Sequence, residues 1–232
     1  MESTIRLIDL LGAGALLIWG LRLIKAGVLS GFGAALRRWI SAGTSTRWRA
    51  TLSGFLVTLS LQSSTATAVI TASFAGRGLI GGGRAQAVML GANVGTALAA
   101  LILSLDLHWL ASLFVLIGVI FSIRARTAPL RGLGKALLGL GLMLLALQLM
   151  GGITEPLRNS QVMIQILGGL ASAPIFALLF AIGLAVAGTS SLAVVLFVSF
   201  LAQAGAVPPF LVLIFVAGAN IGGAIPPWLG TL

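Results

Sequence analysis

The sequence predicts an all-α polytopic membrane protein built from two inverted repeats, each with a re-entrant helical hairpin and a broken helix. Composition is the first of three observations behind this prediction. Of 232 residues, 59% are hydrophobic and 8% are charged, whereas soluble chains carry about 25% charged residues. The second observation is an internal repeat, and the third is the uneven distribution of arginine among the loops.

Six apolar stretches are long enough to enter or cross a bilayer, which takes roughly 20 residues. They are residues 7–24, 85–105, 107–123, 133–150, 174–203 and 208–229. The first is not a signal peptide, because Arg22 and Lys25 stand at its C-terminal end, where small residues would mark a cleavage site. We therefore expect a multi-pass protein embedded in the lipid bilayer of the cell (cytoplasmic) membrane.

The net charge of +10 does not indicate a nucleic-acid partner. Most basic residues fall in short connections between apolar stretches, which is typical of cytoplasmic loops under the positive-inside rule. Arg22 and Lys25 either reach to the cytoplasmic interface or attract anions toward a vestibule. The chain has no cysteine, which excludes disulfides, thiolate metal sites and cysteine nucleophiles.

An offset of 127 residues aligns the two halves of the chain without a gap. On that offset "LLGAG" meets "LLGLG", "QSSTA" meets "TSSLA", and "GANVG" meets "GANIG". Repeat 1 is placed at residues 1–105, a linking helix and basic loop at 106–132, and repeat 2 at 133–232. Repeat 2 ends before a counterpart of the helix expected at 107–123.

Arginine predicts the relative orientation of the repeats. The connections at 37–49 and 77–84 are rich in arginine, but their counterparts at 164–176 and 204–211 have none. Equivalent loops with opposite charge should lie on opposite sides of the membrane, so the repeats should be inverted. We expect the N-terminus outside and three cytoplasmic loops, at residues 25–49, 77–84 and 124–135.

Two arginine-rich loops on one side mean that the segment between them enters and leaves the membrane on that side. This segment, about residues 50–76, is expected to be a re-entrant hairpin with "QSST" near its tip. Its counterpart is expected at about 174–203. Non-helical backbone at membrane depth requires surrounding protein or a water-filled cavity, and inverted-repeat transporters place such breaks at their binding sites.

The polar residues at the two expected tips are suited to binding an oxyanion or Na⁺. Hydroxyls and amides both donate and accept hydrogen bonds, and a helix N-terminus attracts anions. The alternative for any one hydroxyl is a bond to the carbonyl four residues earlier in its helix. The candidates at the tips are Gln62, Ser63, Ser64, Thr65 and Thr67 in repeat 1, and Thr189, Ser190 and Ser191 in repeat 2.

The motif "QSSTAT" followed by "GANVGT", with a second serine pair and "GANIG", resembles the sodium/phosphate cotransporter family of type II, which has bacterial relatives. The resemblance covers about residues 10–226. It implies Na⁺-coupled secondary transport of inorganic phosphate by alternating access, with substrate held between two serine-rich hairpins. It adds Asn93, Thr96 and Asn220 to the candidate residues, and it implies Na⁺ coordination by hydroxyl and carbonyl oxygens around Ser64, Thr65 and Ser191.

Repeat 2 departs from the family's pattern. Thr189 stands where a glutamine is expected, Leu192 replaces a hydroxyl residue, and Gly223 replaces a threonine. The alternative function is therefore a degenerate, non-transporting membrane scaffold or phosphate-sensing partner. We do not expect an enzyme, because four carboxylates and one histidine scattered at helix ends supply neither a nucleophile with its base nor a metal cluster. We expect no cofactor besides Na⁺ as coupling ion, and a homo-oligomer is left open.

Overall fold

The computed structural model describes residues 2–105, 107, 109–158, 161–188, 190–203, 205 and 207–229. This part of the chain is all helical, with no strand. Its helices are α1 (Glu2–Gly43), α2 (Arg47–Leu61), α3 (Ser64–Gly76), α4 (Gly82–Leu103), α5 (Leu110–Arg124), α6 (Ala128–Arg158), α7 (Gln161–Ser172), α8 (Pro174–Gly188), α9 (Ser191–Gln203) and α10 (Pro209–Leu229).

The helices of the two halves have matching bounds. Helices α8 and α9 begin and end 127 residues after α2 and α3, and α10 begins 127 residues after α4. The turns also match, because Gly78 and Gly205, on the same offset, both adopt a positive φ, of 71° and 67°. Glycine takes this left-handed conformation without a steric penalty. The offset that aligns the sequence is thus also the offset between structural elements.

The glycines of "GANVG" and "GANIG" pack α4 against α2 and α10 against α8. A Cβ atom on Gly95 would lie 2.9 Å from the carbonyl oxygen of Phe55, and one on Gly222 would lie 2.7 Å from that of Ile182. These two pairs are equivalent on the offset of 127. Close approach of helix backbones requires small residues at the contact. The motif therefore has a packing role in both halves.

Helices α1 and α6 pack side by side in opposite directions. Gly20 lies against Gly139, and Gly27 lies against Gly132, so residue numbers rise along one helix as they fall along the other. A single apolar cluster with buried members from both helices and from α9 forms the main core.

The expectation of a loop at residues 25–49 is wrong for most of that range, because α1 continues without a break to Gly43. The segment has no proline, and its apolar residues Val28, Leu36 and Ile40 pack in a cluster with α2 and α3. Helical spacing of apolar residues thus extends the helix past the membrane-length stretch, and only residues 44–46 connect it to α2.

Residues 164–176, expected to be a connecting loop, are also largely helical. They contain most of α7, which meets α8 at an angle of 110°. The break falls at Ala173, just before Pro174, the first residue of α8. Proline is favoured at this first helical position, where its missing N–H would have no partner.

Among the described residues, four helices are long and apolar enough to cross a membrane, namely α1, α4, α6 and α10, and a bent pair formed by α7 and α8 would be a fifth. Helix α5, expected to span, has 15 residues and therefore a length of about 22 Å. Large apolar side chains such as Leu11, Leu90 and Leu213 are more than 60% exposed. Apolar surfaces on long helices indicate contact with lipid, and the molecule is a multi-pass membrane protein.

Candidate functional site

The first polar segment forms the turn of a helical hairpin. Helix α2 ends at Leu61, Gln62 adopts a left-handed conformation with φ 50°, and Ser63 is extended. The Ser63 hydroxyl accepts a hydrogen bond from the backbone N–H of Ala66 at 3.2 Å, which caps the N-terminus of α3. The sequence allows a break here because a serine can cap the next helix and supply one of the unpaired N–H groups of its first turn with an acceptor.

A buried hydrogen bond holds the two arms of this hairpin together. The hydroxyl of Thr58 on α2 donates to the hydroxyl of Thr67 on α3 at 2.8 Å, across nine residues of chain. Both side chains are fully buried. Residues nine apart in one continuous helix would lie about 13 Å apart along its axis, so α3 folds back along α2.

The second polar segment repeats the cap of the first. The Ser190 hydroxyl accepts a hydrogen bond from the backbone N–H of Ala193 at 3.2 Å, at the start of α9. The backbone N–H of Ser190 donates to the carbonyl of Ala185 at 3.2 Å, at the end of α8. Thr189, the counterpart of Gln62, lies outside the described residues.

The two hairpins meet at the N-termini of α3 and α9. The Ser64 and Ser191 hydroxyl oxygens are 3.4 Å apart, and these residues are both the first of their helices and equivalent on the offset of 127. Beside them, Thr65 donates a hydrogen bond to the carbonyl of Gly223 on α10 at 3.1 Å. Two helix N-termini therefore converge on a group of hydroxyls, which we term the tip contact (Ser64, Thr65, Ser191 and Gly223).

The tip contact has the electrostatics of an anion site without a cationic side chain. Unpaired N–H groups in the first turn give a helix a partial positive charge at its N-terminus. Two such ends at one point favour an oxyanion, and the serine hydroxyls can donate to it. Ser191 and Thr65 are buried and Ser64 is partly buried.

Gln62 carries a buried acceptor with no hydrogen-bond partner among the described residues, its side-chain oxygen Oε1. Such an atom costs about 1–3 kcal/mol when it stays unpaired in the interior. It lies in the residue immediately before the cap of α3, at the hairpin turn. A neutral oxygen of this kind can coordinate a cation or accept a hydrogen bond from a donor.

Several candidate hydroxyls already bond to the backbone of their own helix or its cap. The Thr67 hydroxyl donates to the carbonyl of Ser63 at 3.2 Å, and that of Thr96 donates to the carbonyl of Ala92 at 3.1 Å. Both are bonds to the residue four earlier, which is the common structural use of threonine in a helix. Ser63 and Ser190 serve as caps. Among the described candidates, the hydroxyls of Ser64, Thr65 and Ser191 lie between the hairpins or face α10.

The two asparagines of the glycine motifs are exposed and lie on other surfaces of the helices. Asn93 lines a cavity of about 650 Å³ together with Thr71, Gln86 and Trp228. The side-chain amide of Asn220 donates to the carbonyl of its own helix at Val216, at 2.8 Å. Asn93 thus lies in a cavity bounded by α3, α4 and α10.

Gly223 belongs to the tip contact, although the sequence reading treated it only as a lost threonine. A Cβ atom at this position would lie 3.2 Å from the Ser191 Cβ and 3.3 Å from its hydroxyl oxygen. The sequence carried one sign of this asymmetry: the second half has Leu192 and Gly223 where the first half has Thr65 and Thr96. Leu192 is buried in the main core. Two hydroxyl positions of the first half are therefore an apolar residue and a glycine in the second.

These features define a multi-pass helical membrane protein in which two equivalent helical hairpins meet at their N-terminal helix ends. The chain belongs to the Na⁺/Pi-cotransporter family, whose model matches residues 16–152. This confirms the resemblance noted in the sequence.

The similar proteins carry one name. The "Putative inorganic phosphate export protein YjbB" of Escherichia coli K12 is 38% identical over 215 residues, which are 93% of this chain and 40% of that protein. The proteins of that name from Shigella flexneri and Salmonella typhimurium LT2 give the same identity and the same coverage. The chain thus spans about 40% of the length of these relatives. No solved structure matches the chain.

Proposed function

We propose that this protein carries inorganic phosphate across the membrane by alternating access, with phosphate held between the tips of its two hairpins and its movement coupled to Na⁺. The observation that carries this proposal is the contact between Ser64 and Ser191, where the N-termini of α3 and α9 converge. Membership of the Na⁺/Pi-cotransporter family supports phosphate as the substrate.

The two halves act as inverted repeats in this proposal. Helices α1 and α6, whose equivalent "LLGAG" and "LLGLG" segments align on the offset of 127, run antiparallel. Equivalent residues also touch at Ser64 and Ser191, as residues on a two-fold axis do. A two-fold axis that reverses α1 into α6 lies in the membrane plane, which is the symmetry of inverted-repeat transporters. Each hairpin then returns to the side from which it entered.

The serine hydroxyls and the first N–H groups of α3 and α9 bind the phosphate oxygens. The Ser64 and Ser191 hydroxyl oxygens are 3.4 Å apart, so one phosphate group can accept a hydrogen bond from each of them. Alternating access then moves one hairpin against the other, and the tips separate and come together again during the transport cycle. Neutral donors suit this depth, because a buried lysine or arginine would be costly there.

Neutral oxygens at the same point suit Na⁺. The Gln62 Oε1 atom lacks a partner, the Gly223 carbonyl faces Thr65, and Ser64, Thr65 and Ser191 add hydroxyl oxygens. Na⁺ needs only such uncharged oxygen ligands, and its charge would balance part of the phosphate charge. These oxygens support our proposal of a Na⁺ site around Ser64, Thr65 and Ser191.

A flux assay in proteoliposomes tests the proposal. Uptake of radiolabelled phosphate should depend on a Na⁺ gradient and collapse when K⁺ replaces Na⁺. Both Ser64→Ala and Ser191→Ala should lower transport efficiency by about tenfold to a hundredfold, because each removes a hydrogen bond to a charged group worth about 1.5–3 kcal/mol.

The matched control is Ser60→Ala, one turn from the hairpin tip, where the exposed hydroxyl only bonds its own helix at Leu56. This variant should transport phosphate at the wild-type rate. Phosphate flux that does not depend on the Na⁺ gradient would contradict coupling to Na⁺. Wild-type flux in both Ser64→Ala and Ser191→Ala would contradict the assignment of the phosphate site to the hairpin tips.

The second candidate function is a phosphate sensor that binds at the same site without transport. It is favoured by the poorer second half, with Leu192 and Gly223 in place of hydroxyl residues. Thermal stabilisation of the protein by phosphate, lost in Ser64→Ala and accompanied by no flux in either direction, would support the sensor over the transporter.

A further inference from the structure

A cavity of about 430 Å³ lies between α1 and α3 and follows α3 along its whole length. The side of α3 that lines it includes Thr65, Val69, Ser73 and Arg77, a row spaced by four residues. Twelve helical residues span about 18 Å. The cavity therefore reaches from the tip contact, of which Thr65 is a member, to the C-terminal cap of α3 at Arg77.

The charged residues lining this cavity are all cations. Lys25 and Arg37 come from α1 and Arg77 is the C-terminal cap of α3, and none of the described residues that line the cavity is acidic. Lys25 is partly buried, whereas Arg37 and Arg77 are exposed. Arg22, three residues before Lys25 on α1, is exposed and does not line the cavity. A partly buried cation within a membrane helix is costly to maintain and indicates a functional surface.

We propose that this cavity is an anion vestibule, in which Arg37 and Arg77 at the mouth and Lys25 further inside recruit inorganic phosphate and deliver it to the tip contact. This inference rests on the proposed phosphate transport, and it specifies the face of the membrane from which phosphate reaches the tip contact. The mouth lies beside Arg37, near the C-terminal end of α1, and Arg77, where the connection from α3 to α4 begins. These arginine-rich segments are expected on the cytoplasmic side, so phosphate enters the vestibule from the cytoplasmic face.

The cavity is suited to recruiting phosphate rather than to binding it tightly. A cleft of one charge sign with low-dielectric walls raises the local concentration of opposite ions. A water molecule takes up about 30 Å³ of liquid, so the cavity has room for phosphate that keeps part of its hydration. The exposed arginines act by attraction over a distance, and this attraction is screened by salt. The vestibule should therefore affect KM and its salt dependence, and leave kcat nearly unchanged.

Sided membrane vesicles provide the test. Everted vesicles present the cytoplasmic face to the medium, and right-side-out vesicles present the other face. In everted vesicles, Arg37→Gln, Arg77→Gln and Lys25→Gln together should raise the KM for phosphate roughly tenfold, with kcat within about twofold. At fixed Na⁺, added potassium gluconate should raise the KM of the wild type more than that of the variant. In right-side-out vesicles the KM should not change.

The control is Arg126→Gln, an exposed arginine of the basic connection between α5 and α6 that does not line the cavity. It removes one positive charge, as each of the three cavity substitutions does singly, and should leave KM unchanged. The double variant Arg37→Lys, Arg77→Lys keeps both charges and should retain the wild-type KM. Should Lys25→Gln impair assembly, Arg37→Gln and Arg77→Gln carry the test, because both side chains are exposed.

The phosphate group of an anionic lipid is the other ligand that these cations could recruit. Proteoliposomes of phosphatidylcholine alone separate the two sources. A KM increase in the triple variant that persists there assigns the vestibule to free phosphate, whereas an effect seen only with phosphatidylglycerol assigns it to lipid and overturns the inference. An unchanged KM in everted vesicles also overturns it. Absence of phosphate flux in the wild type would instead overturn the proposed function.

Discussion

The hydroxyl residues at the hairpin tips divide into two groups with different physical roles. Ser63 and Ser190 cap helices, which satisfies backbone N–H groups that would otherwise lack a partner. Ser64 and Ser191, one position later, face each other between the hairpins. A shift of one residue thus separates a side chain that caps its own helix from one that faces the other hairpin.

Gln62 is predicted to combine backbone strain with a ligand role. Its φ of 50° is left-handed, which costs a residue with a side chain about 1 kcal/mol relative to glycine. Gln62→Gly should therefore raise the free energy of unfolding by about 1 kcal/mol, while the KM for Na⁺ rises because the Oε1 ligand is lost. Thermal unfolding in detergent and Na⁺-dependent flux measure the two effects.

The matched variant is Gln62→Asn, because asparagine tolerates the left-handed region and keeps an amide. It should preserve more of the Na⁺ dependence than Gln62→Gly. Wild-type Na⁺ dependence in Gln62→Gly would show that Gln62 does not bind Na⁺ and contributes only to the conformation of the hairpin turn.

At the scale of helices, the glycine motifs position the hairpins. Helix α2 leads into the first tip, and α4 packs closely against α2 at Gly95. Helix α8 leads into the second tip, and α10 packs closely against α8 at Gly222. The motif that suggested a binding asparagine therefore explains how α4 and α10 pack backbone to backbone against the helices that lead into the tips. This role follows from glycine at each contact and does not depend on the asparagine.

Gly95→Ala and Gly222→Ala should both destabilise the protein, by about 1–3 kcal/mol, because each added methyl group meets a carbonyl oxygen at less than 3 Å. The control is Gly183→Ala on α8, which has no atom within 4 Å of the added Cβ. Alanine there should be neutral or stabilising, since it favours the helix by up to about 1 kcal/mol. Thermal unfolding of the three variants compares them. Equal stability of all three would show that the helices do not depend on these contacts.

At the scale of the whole molecule, symmetry predicts sidedness. Ser45 and Ser172 are equivalent on the offset of 127, and both are exposed. The natural chain has no cysteine, so single cysteines can be introduced without further changes. In inverted repeats, Ser45→Cys and Ser172→Cys should react with a membrane-impermeant maleimide from opposite faces. The re-entrant hairpin predicts that Leu79→Cys, exposed after α3, reacts from the same face as Ser45→Cys.

Labelling in intact cells and in everted vesicles distinguishes the faces. Modification of Ser45→Cys and Ser172→Cys from one face would contradict inversion. Modification of Ser45→Cys and Leu79→Cys from opposite faces would instead show that the first hairpin crosses the membrane.

The sequence predicted the helices whose ends are marked by local signals such as proline or a capping serine. It was less accurate where the helical spacing of apolar residues continues past a stretch of membrane length. The second hairpin, expected at about 174–203, corresponds to α8 and α9, because proline and serine start its two helices. The end of α1 was misplaced, since the arginines around residue 37 suggested a loop although the apolar spacing remained helical. Charge indicates the environment of a segment, whereas hydrogen-bonding and packing determine whether it is helical.

By itself, the sequence determined that this is a helical membrane protein, that its halves repeat at an offset of 127, and that it belongs to the sodium/phosphate cotransporter family. These depend on composition and spacing, which can be read along the chain. Only the tertiary structure decided which hydroxyls face each other, that the Gly223 carbonyl joins them, and that a cationic cavity leads to Thr65. The partners in these contacts are 127 or 158 residues apart, or lie on different helices, so chain folding alone brings them together.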